Sequence, residues 1–219
     1  MGSEMSATEL VIFDCDGVLV DSETIVCRVL AEEMNKLGLK TTPEELDEQF
    51  SGRPARDCLL EIETRYGGPL PEHYFHNTER RIREAFHNEL QPVCGIEDVL
   101  DHLLQINLPS CVASSGSHEK MQLTLNKTGL YDYFDGRIFS ADDVSRGKPW
   151  PDLFLHAAEV MGVEPRRCLV VEDSIAGVRA AVAAGMPVVG YNNHPVRAPQ
   201  LAQAGAKVVG DLVAVLDFL

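Results

Sequence analysis

Two aspartates, Asp14 and Asp16, stand one residue apart after a short apolar run, residues 9–13, and Gly17 follows them. A β-branched apolar run of that length predicts a buried strand, and Gly17 permits a sharp backbone turn at its end. Residues two apart on an extended chain face the same way. Both carboxylates would therefore reach one side of the strand end, and a bend at Gly17 would let them diverge. One is then placed to attack an electrophile, the other to give and take a proton at the leaving group. A second acidic pair, Glu172 and Asp173, closes the apolar run RCLVV at residues 167–171. Four carboxylates sharing a cleft would repel strongly. A hard divalent cation resolves that conflict. Oxygen-only ligands without His or Cys suit Mg²⁺, which takes one or two carboxylates, several waters and a substrate phosphate.

Two further strand ends carry polar groups. Residues 110–113 are followed by Ser114, Ser115 and Gly116, and residues 136–139 lead, past a short acidic run, to Lys148 in RGKPWPD. Lys148 would neutralise the equatorial oxygens of a phosphoryl group, while Ser114 and neighbouring backbone N–H groups would hold another oxygen. The chemistry these residues fit is hydrolysis of a phosphate ester. Asp14 would attack as the nucleophile, and Asp16 would protonate the leaving oxygen and then activate water.

Positioning such a set requires strands that share one edge. Strand-like runs at residues 9–13, 110–113, 136–139, 167–171 and 187–191 alternate with helix-like stretches at 95–106, 117–128, 152–161 and 174–184. That alternation predicts an α/β fold with a doubly wound parallel sheet, in which ligands bind beyond the carboxyl ends of the strands. Residues 21–91 break the pattern. A long periodic stretch capped at Ser22 and stopped at Gly38 precedes a polar, helical block with turn signals at Gly52, Gly67-Gly68-Pro69 and Pro71. The expected organisation is a core of residues 1–20 and 92–219, with an all-helical domain, 21–91, inserted after the first strand.

Composition narrows the partners. The 219 residues are 45% apolar, and 34 acidic residues against 19 basic ones give a net charge of −15. A surface so acidic repels nucleic acids and anionic lipids, and no stretch approaches a membrane span in length. The partner expected is a small phosphorylated metabolite, drawn in by a metal ion and Lys148 against the global field. Six scattered cysteines with no CxxC pair read as reduced and mostly buried, which predicts a cytoplasmic protein. A monomer is the default expectation.

The segments FDCDGVLVDSE, VASSGS, GKPWPD and VVEDS, in that order, resemble the four motifs of the haloacid dehalogenase superfamily. The inserted block resembles the helical cap of its sugar-phosphate phosphatases and β-phosphoglucomutases, and the whole chain looks most like the 6-phosphogluconate phosphatase type. The resemblance implies a Rossmann-like core, a phospho-aspartate on Asp14, and Mg²⁺ held by Asp14, the Asp16 backbone carbonyl, Asp173 and, directly or through water, Glu172. Ser114 would bind phosphate, with Ser115 as a weaker partner. The segment Gly52-Arg53-Pro54-Ala55-Arg56-Asp57 resembles a cap loop that selects substrate, which makes Arg53, Arg56 and Glu23 candidates for meeting its remaining groups.

Other outcomes follow from the same resemblance. A phosphohexomutase would return the phosphoryl group to a sugar, but the related mutases carry a His where Val26 stands. Dehalogenases of the family lack the second aspartate. A metabolite-binding module without turnover would not need Asp14, Asp16, Lys148 and Asp173 together.

Overall fold

The computed structural model describes residues 7–50, 55–134, 136–192 and 197–219. The chain divides into two compact units, one formed by residues up to Val20 with Pro92–Leu219, the other by Asp21–Gln91. The first opens with strand β1 (Leu10–Phe13), whose four residues are all buried. The second is built from α1 (Ser22–Lys36), α2 (Pro43–Phe50), α3 (Ala55–Tyr66) and α4 (Tyr74–Glu89). The chain then returns through α5 (Ile96–Gln105), β2 (Ser110–Ser114), α6 (His118–Thr128), the short α7 (Tyr131–Phe134) and β3 (Ile138–Ser140). It closes with α8 (Asp152–Met161), β4 (Cys168–Glu172), α9 (Ile175–Ala183), β5 (Val188–Tyr191), α10 (Ala198–Ala204) and β6 (Lys207–Val209).

The six strands form one sheet in the order β3-β2-β1-β4-β5-β6, and every pairing is parallel. β1, β2 and β4 are buried along their whole length, which is why their interiors read as apolar runs rather than alternating ones. The edge strands β3 and β6 are three residues each, and β6 begins at the exposed Lys207. Short edges with a charged residue resist pairing with another chain. On one face Leu10, Ile12, Cys111, Val170, Val178 and Phe154 share a continuous core. Phe13 meets Phe134 edge-on with ring centroids 6.4 Å apart.

Strand order reverses at β1. After β1 the chain builds β2 and β3 on one side, and it then returns to place β4 on the other. The crevice at the carboxyl ends of β1 and β4 is therefore the position where this class of sheet opens a ligand site. Phe13 is in register with Val112 of β2 and with Val171 of β4, which puts Asp14 level with the ends of both neighbours.

The four-helix unit has its own apolar centre of Cys27, Ala31, Met34, Leu46, Phe50 and Ile62. Charge also ties it together: Arg81 pairs with Glu32 and Glu33, and Arg28 bridges Glu32 at 3.2 Å and Glu89 at 2.6 Å. Helix α1 begins one residue differently from expectation. Asp21 is its cap residue, its carboxylate taking the Thr24 hydroxyl at 2.7 Å, and Ser22 is the first helical residue.

Candidate active site at the carboxyl end of the sheet

The backbone N–H of Asp14 donates to the Val171 carbonyl at 2.9 Å, a last rung between β1 and β4 that fixes where the Asp14 side chain starts. The chain then turns through Gly17, at φ 76°. A Cβ there would lie 2.1 Å from Asp173 Oδ2, so glycine both permits the turn and leaves room for the Asp173 carboxylate against it.

β4 ends in Glu172, which is fully buried. Its Oε2 accepts from the Ser174 backbone N–H at 2.7 Å and from the Ser174 hydroxyl at 2.8 Å. Ser174 also caps α9 by accepting from the Gly177 N–H at 3.0 Å. The carboxylate thus rests on a helix N-terminus, where the unpaired N–H groups favour negative charge. Gly177 makes the approach possible, because a Cβ at that position would lie 1.7 Å from Glu172 Oε1.

Lys148, in the loop between β3 and α8, closes the set. Its ammonium donates to Asp14 Oδ1 and to Glu172 Oε1, both at 2.6 Å, from a side chain only 3% exposed. The Phe154 ring lies beneath it, 5.0 Å from centroid to Nζ. Asp14, Glu172 and Asp173 each bring one carboxylate oxygen to within 4.8 Å of the others. Asp16 is held separately: Lys120 Nζ donates to its Oδ2 at 2.6 Å. Ser114 ends β2, only 1% exposed, and its hydroxyl accepts from the Gly116 N–H at 3.2 Å. The Gly116 carbonyl in turn accepts from the Ser140 hydroxyl at 2.8 Å, tying this loop to the end of β3.

The electrostatics are those of an acidic cluster with too little positive charge. Burial pushes the Asp14 carboxyl up to about 7; Lys148 opposes the shift, and the neighbouring Glu172 and Asp16 carboxylates add to it. Burial works against the Lys148 ammonium too, but Asp14 and Glu172 outweigh it and hold the lysine above its ordinary range. Burial and the flanking aspartates push the Cys15 thiol well up, so it stays neutral between the two. Four carboxylates face two ammoniums here, leaving those groups, when fully ionised, with two negative charges in excess. A divalent cation matches that deficit, and an all-oxygen donor set of this size fits Mg²⁺.

The structure therefore brings Asp14, Lys148, Glu172 and Asp173 into one cluster, with Asp16 and Ser114 on the adjoining loops. Ser115 is exposed. Glu23 is half-buried on α1, and Arg56 is exposed on α3, both in the four-helix unit. Arg53 lies outside the described residues. Trp150 is exposed, with the Arg146 guanidinium stacked 4.7 Å from its ring centre.

Sequence reading missed four participants. Lys120 gave no signal, because nothing local marks a helix lysine as a partner of Asp16. Gly177 gave none either, because a glycine inside a helix does not announce that its missing side chain admits Glu172. Ser174 could have been found as a cap residue three positions before a glycine. Asp143, in the short acidic run before Lys148, accepts the Ser140 N–H at 2.8 Å and meets His118 Nε2 at 2.9 Å.

The haloacid dehalogenase-like hydrolase family profile matches residues 11–191. The 6-phosphogluconate phosphatase of Escherichia coli (strain K12) is 34% identical over 202 residues, 90% of this chain and 90% of that protein. A haloacid dehalogenase-like protein of unknown function from Agrobacterium tumefaciens str. C58 superposes with a TM-score of 0.88 at 35% identity, covering 97% of each chain. A HAD family hydrolase from Deinococcus radiodurans R1, solved with bound phosphate and sodium, superposes at 0.84 with 30% identity and 96% coverage of each.

Proposed function

Because the chain belongs to the haloacid dehalogenase-like hydrolases and is a phosphoric monoester hydrolase, we propose that it uses Mg²⁺ to hydrolyse a small phosphorylated metabolite through an aspartyl phosphate on Asp14. The substrate class is a sugar, polyol or sugar-acid phosphate. The observation that carries this reading is the buried Lys148 ammonium shared by Asp14 and Glu172, with Asp173 alongside.

Asp14, Glu172 and Asp173 would hold the cation, with the Asp16 backbone carbonyl. When bound, the cation supplies positive charge that lowers the Asp14 carboxyl into its ionised form and offsets the phosphate oxygens. An Asp14 carboxylate oxygen forms a bond to phosphorus as the bond from phosphorus to the substrate oxygen breaks. Asp16 gives its proton to the departing alkoxide, so an alcohol leaves. A water then attacks the same phosphorus, Asp16 takes its proton, and orthophosphate departs with Asp14 restored. Lys148 keeps Asp14 aimed through both steps and adds positive charge to the transferring group. Ser114 and the backbone N–H groups beyond it would hold a phosphate oxygen. The Deinococcus radiodurans hydrolase, solved with bound phosphate and sodium, supports a protein of this family taking up both an anion and a cation. Glu23, Arg53 and Arg56 are proposed to read the rest of the substrate.

Among the described residues no helix is long and apolar enough to cross a membrane.

The test is phosphate release from a panel of sugar, polyol, sugar-acid and nucleotide monophosphates, with Mg²⁺ and with chelator. Turnover should need the metal and fall on the order of a thousandfold or more in Asp14→Asn. Turnover that survives chelation, or that survives in Asp14→Asn, sinks the mechanism. Isomerisation of a hexose phosphate without net phosphate release would point to a mutase instead.

A further inference from the structure

Asp16 has a partner that the reaction scheme above does not use. Lys120 stands in the first turn of α6, and its ammonium lies 2.6 Å from Asp16 Oδ2, although the two residues are 104 positions apart. The root of that side chain is fixed: Ser117, the cap of α6, accepts the Lys120 backbone N–H at 3.3 Å. Its stem is laid across the loop that follows β2. A Cβ at Gly116 would lie 3.5 Å from Lys120 Cδ and 3.6 Å from Ser114 Oγ. One side chain therefore spans from the Ser114 loop to Asp16.

Stability is a weak reason for such a pair. With side chains 38% and 27% exposed, solvent screens much of the attraction. Placement is a stronger one. An aspartate at the head of a turn can rotate about two side-chain bonds, and only one of its oxygens can face a leaving group at a time. We propose that Lys120 is a positioning residue for Asp16: its ammonium holds Oδ2 and so turns Oδ1 towards the leaving-group oxygen. The inference rests on the reading of Asp16 as the general acid and base.

Proton donation matters in proportion to the basicity of the departing oxygen. An alkoxide leaving from phosphorus needs the Asp16 proton, whereas a p-nitrophenolate leaves readily without it. The ratio kcat/KM reports the steps up to the aspartyl phosphate, so it isolates this requirement from the later attack of water. Lys120→Met keeps the stem and removes the ammonium. It should lower kcat/KM about tenfold to a hundredfold on the best alkyl phosphate of the panel, and less than about threefold on p-nitrophenyl phosphate. Lys120→Arg, which can still donate to a carboxylate, should recover most of the loss. Equal losses on both substrates, or no loss on the alkyl phosphate, overturn the role of Lys120 and leave the phosphatase reading standing. Wild-type protein inert towards both would overturn that reading, and this inference with it.

Discussion

A carboxyl that is easier to protonate in the folded chain than in the unfolded one ties stability to pH. Burial raises Asp14 from 3.8 to about 7, with Lys148 opposing and Glu172 and Asp16 adding. Below the unfolded value this group costs nothing; as pH rises towards the folded value its ionised form becomes increasingly unfavourable in the fold. The metal-free protein should therefore lose stability at this position between about pH 4 and pH 7. Asp14→Asn, neutral throughout, should flatten that slope and be more stable above pH 7 by on the order of 1–3 kcal/mol. Thermal unfolding of both proteins in chelator, followed from pH 4 to 8, checks it. A wild-type slope no steeper than the variant's would show that Asp14 is not held protonated. The residues that carry this chemistry were legible because Asp14, Ser114, Glu172 and Asp173 each sit at or just after a strand end. Their neighbourhood follows from the parallel sheet alone. Lys120 was not, since its contact with Asp16 depends on where α6 packs.

Secondary-structure elements set how closely these groups approach. α9 starts immediately beyond β4, and Ser174 both caps it and holds Glu172. Gly177, inside the helix, is the position where two effects oppose. Alanine there would favour the helix by about 1 kcal/mol on propensity. Its Cβ, however, would meet the Glu172 carboxylate at 1.7 Å, and a fully buried carboxylate with Lys148 on one oxygen and Ser174 on the other has little room to retreat. The clash should win. Gly177→Ala is expected to lower stability by roughly 2–4 kcal/mol or, if Glu172 swings aside, to weaken Mg²⁺ binding and phosphate release at least tenfold. Chemical denaturation and metal titration of the variant separate the two routes; wild-type values in both would remove Gly177 from the site. Of the elements themselves, the buried strands were easy to read because β1 and the interiors of β2 and β4 are apolar runs. β3 and β6 were hardest, being three residues each, with hydrogen bonds on one side only.

At the scale of the whole molecule, a net charge of −15 surrounds a site that must admit a phosphate dianion. Lys148 is nearly inaccessible to solvent and spends its charge on two carboxylates, so it adds little field at a distance. Beyond a few ångströms the approaching anion meets the acidic surface, and its encounter rate should rise when salt shortens the range of that repulsion. With Mg²⁺ saturating, kcat/KM for a dianionic phosphate ester is expected to increase about two- to threefold as NaCl goes from roughly 20 to 200 mM. An enzyme steered by an exposed basic funnel would show the opposite slope. Adding salt at constant Mg²⁺ tests this, with kcat as the internal control, because a bound substrate has already crossed the field. A fall in kcat/KM would mean that cationic side chains gather at the mouth of the site and outweigh the surface charge. Arg53 and Arg56 would then be the first residues to neutralise, by substitution to Gln, to find the source of that attraction.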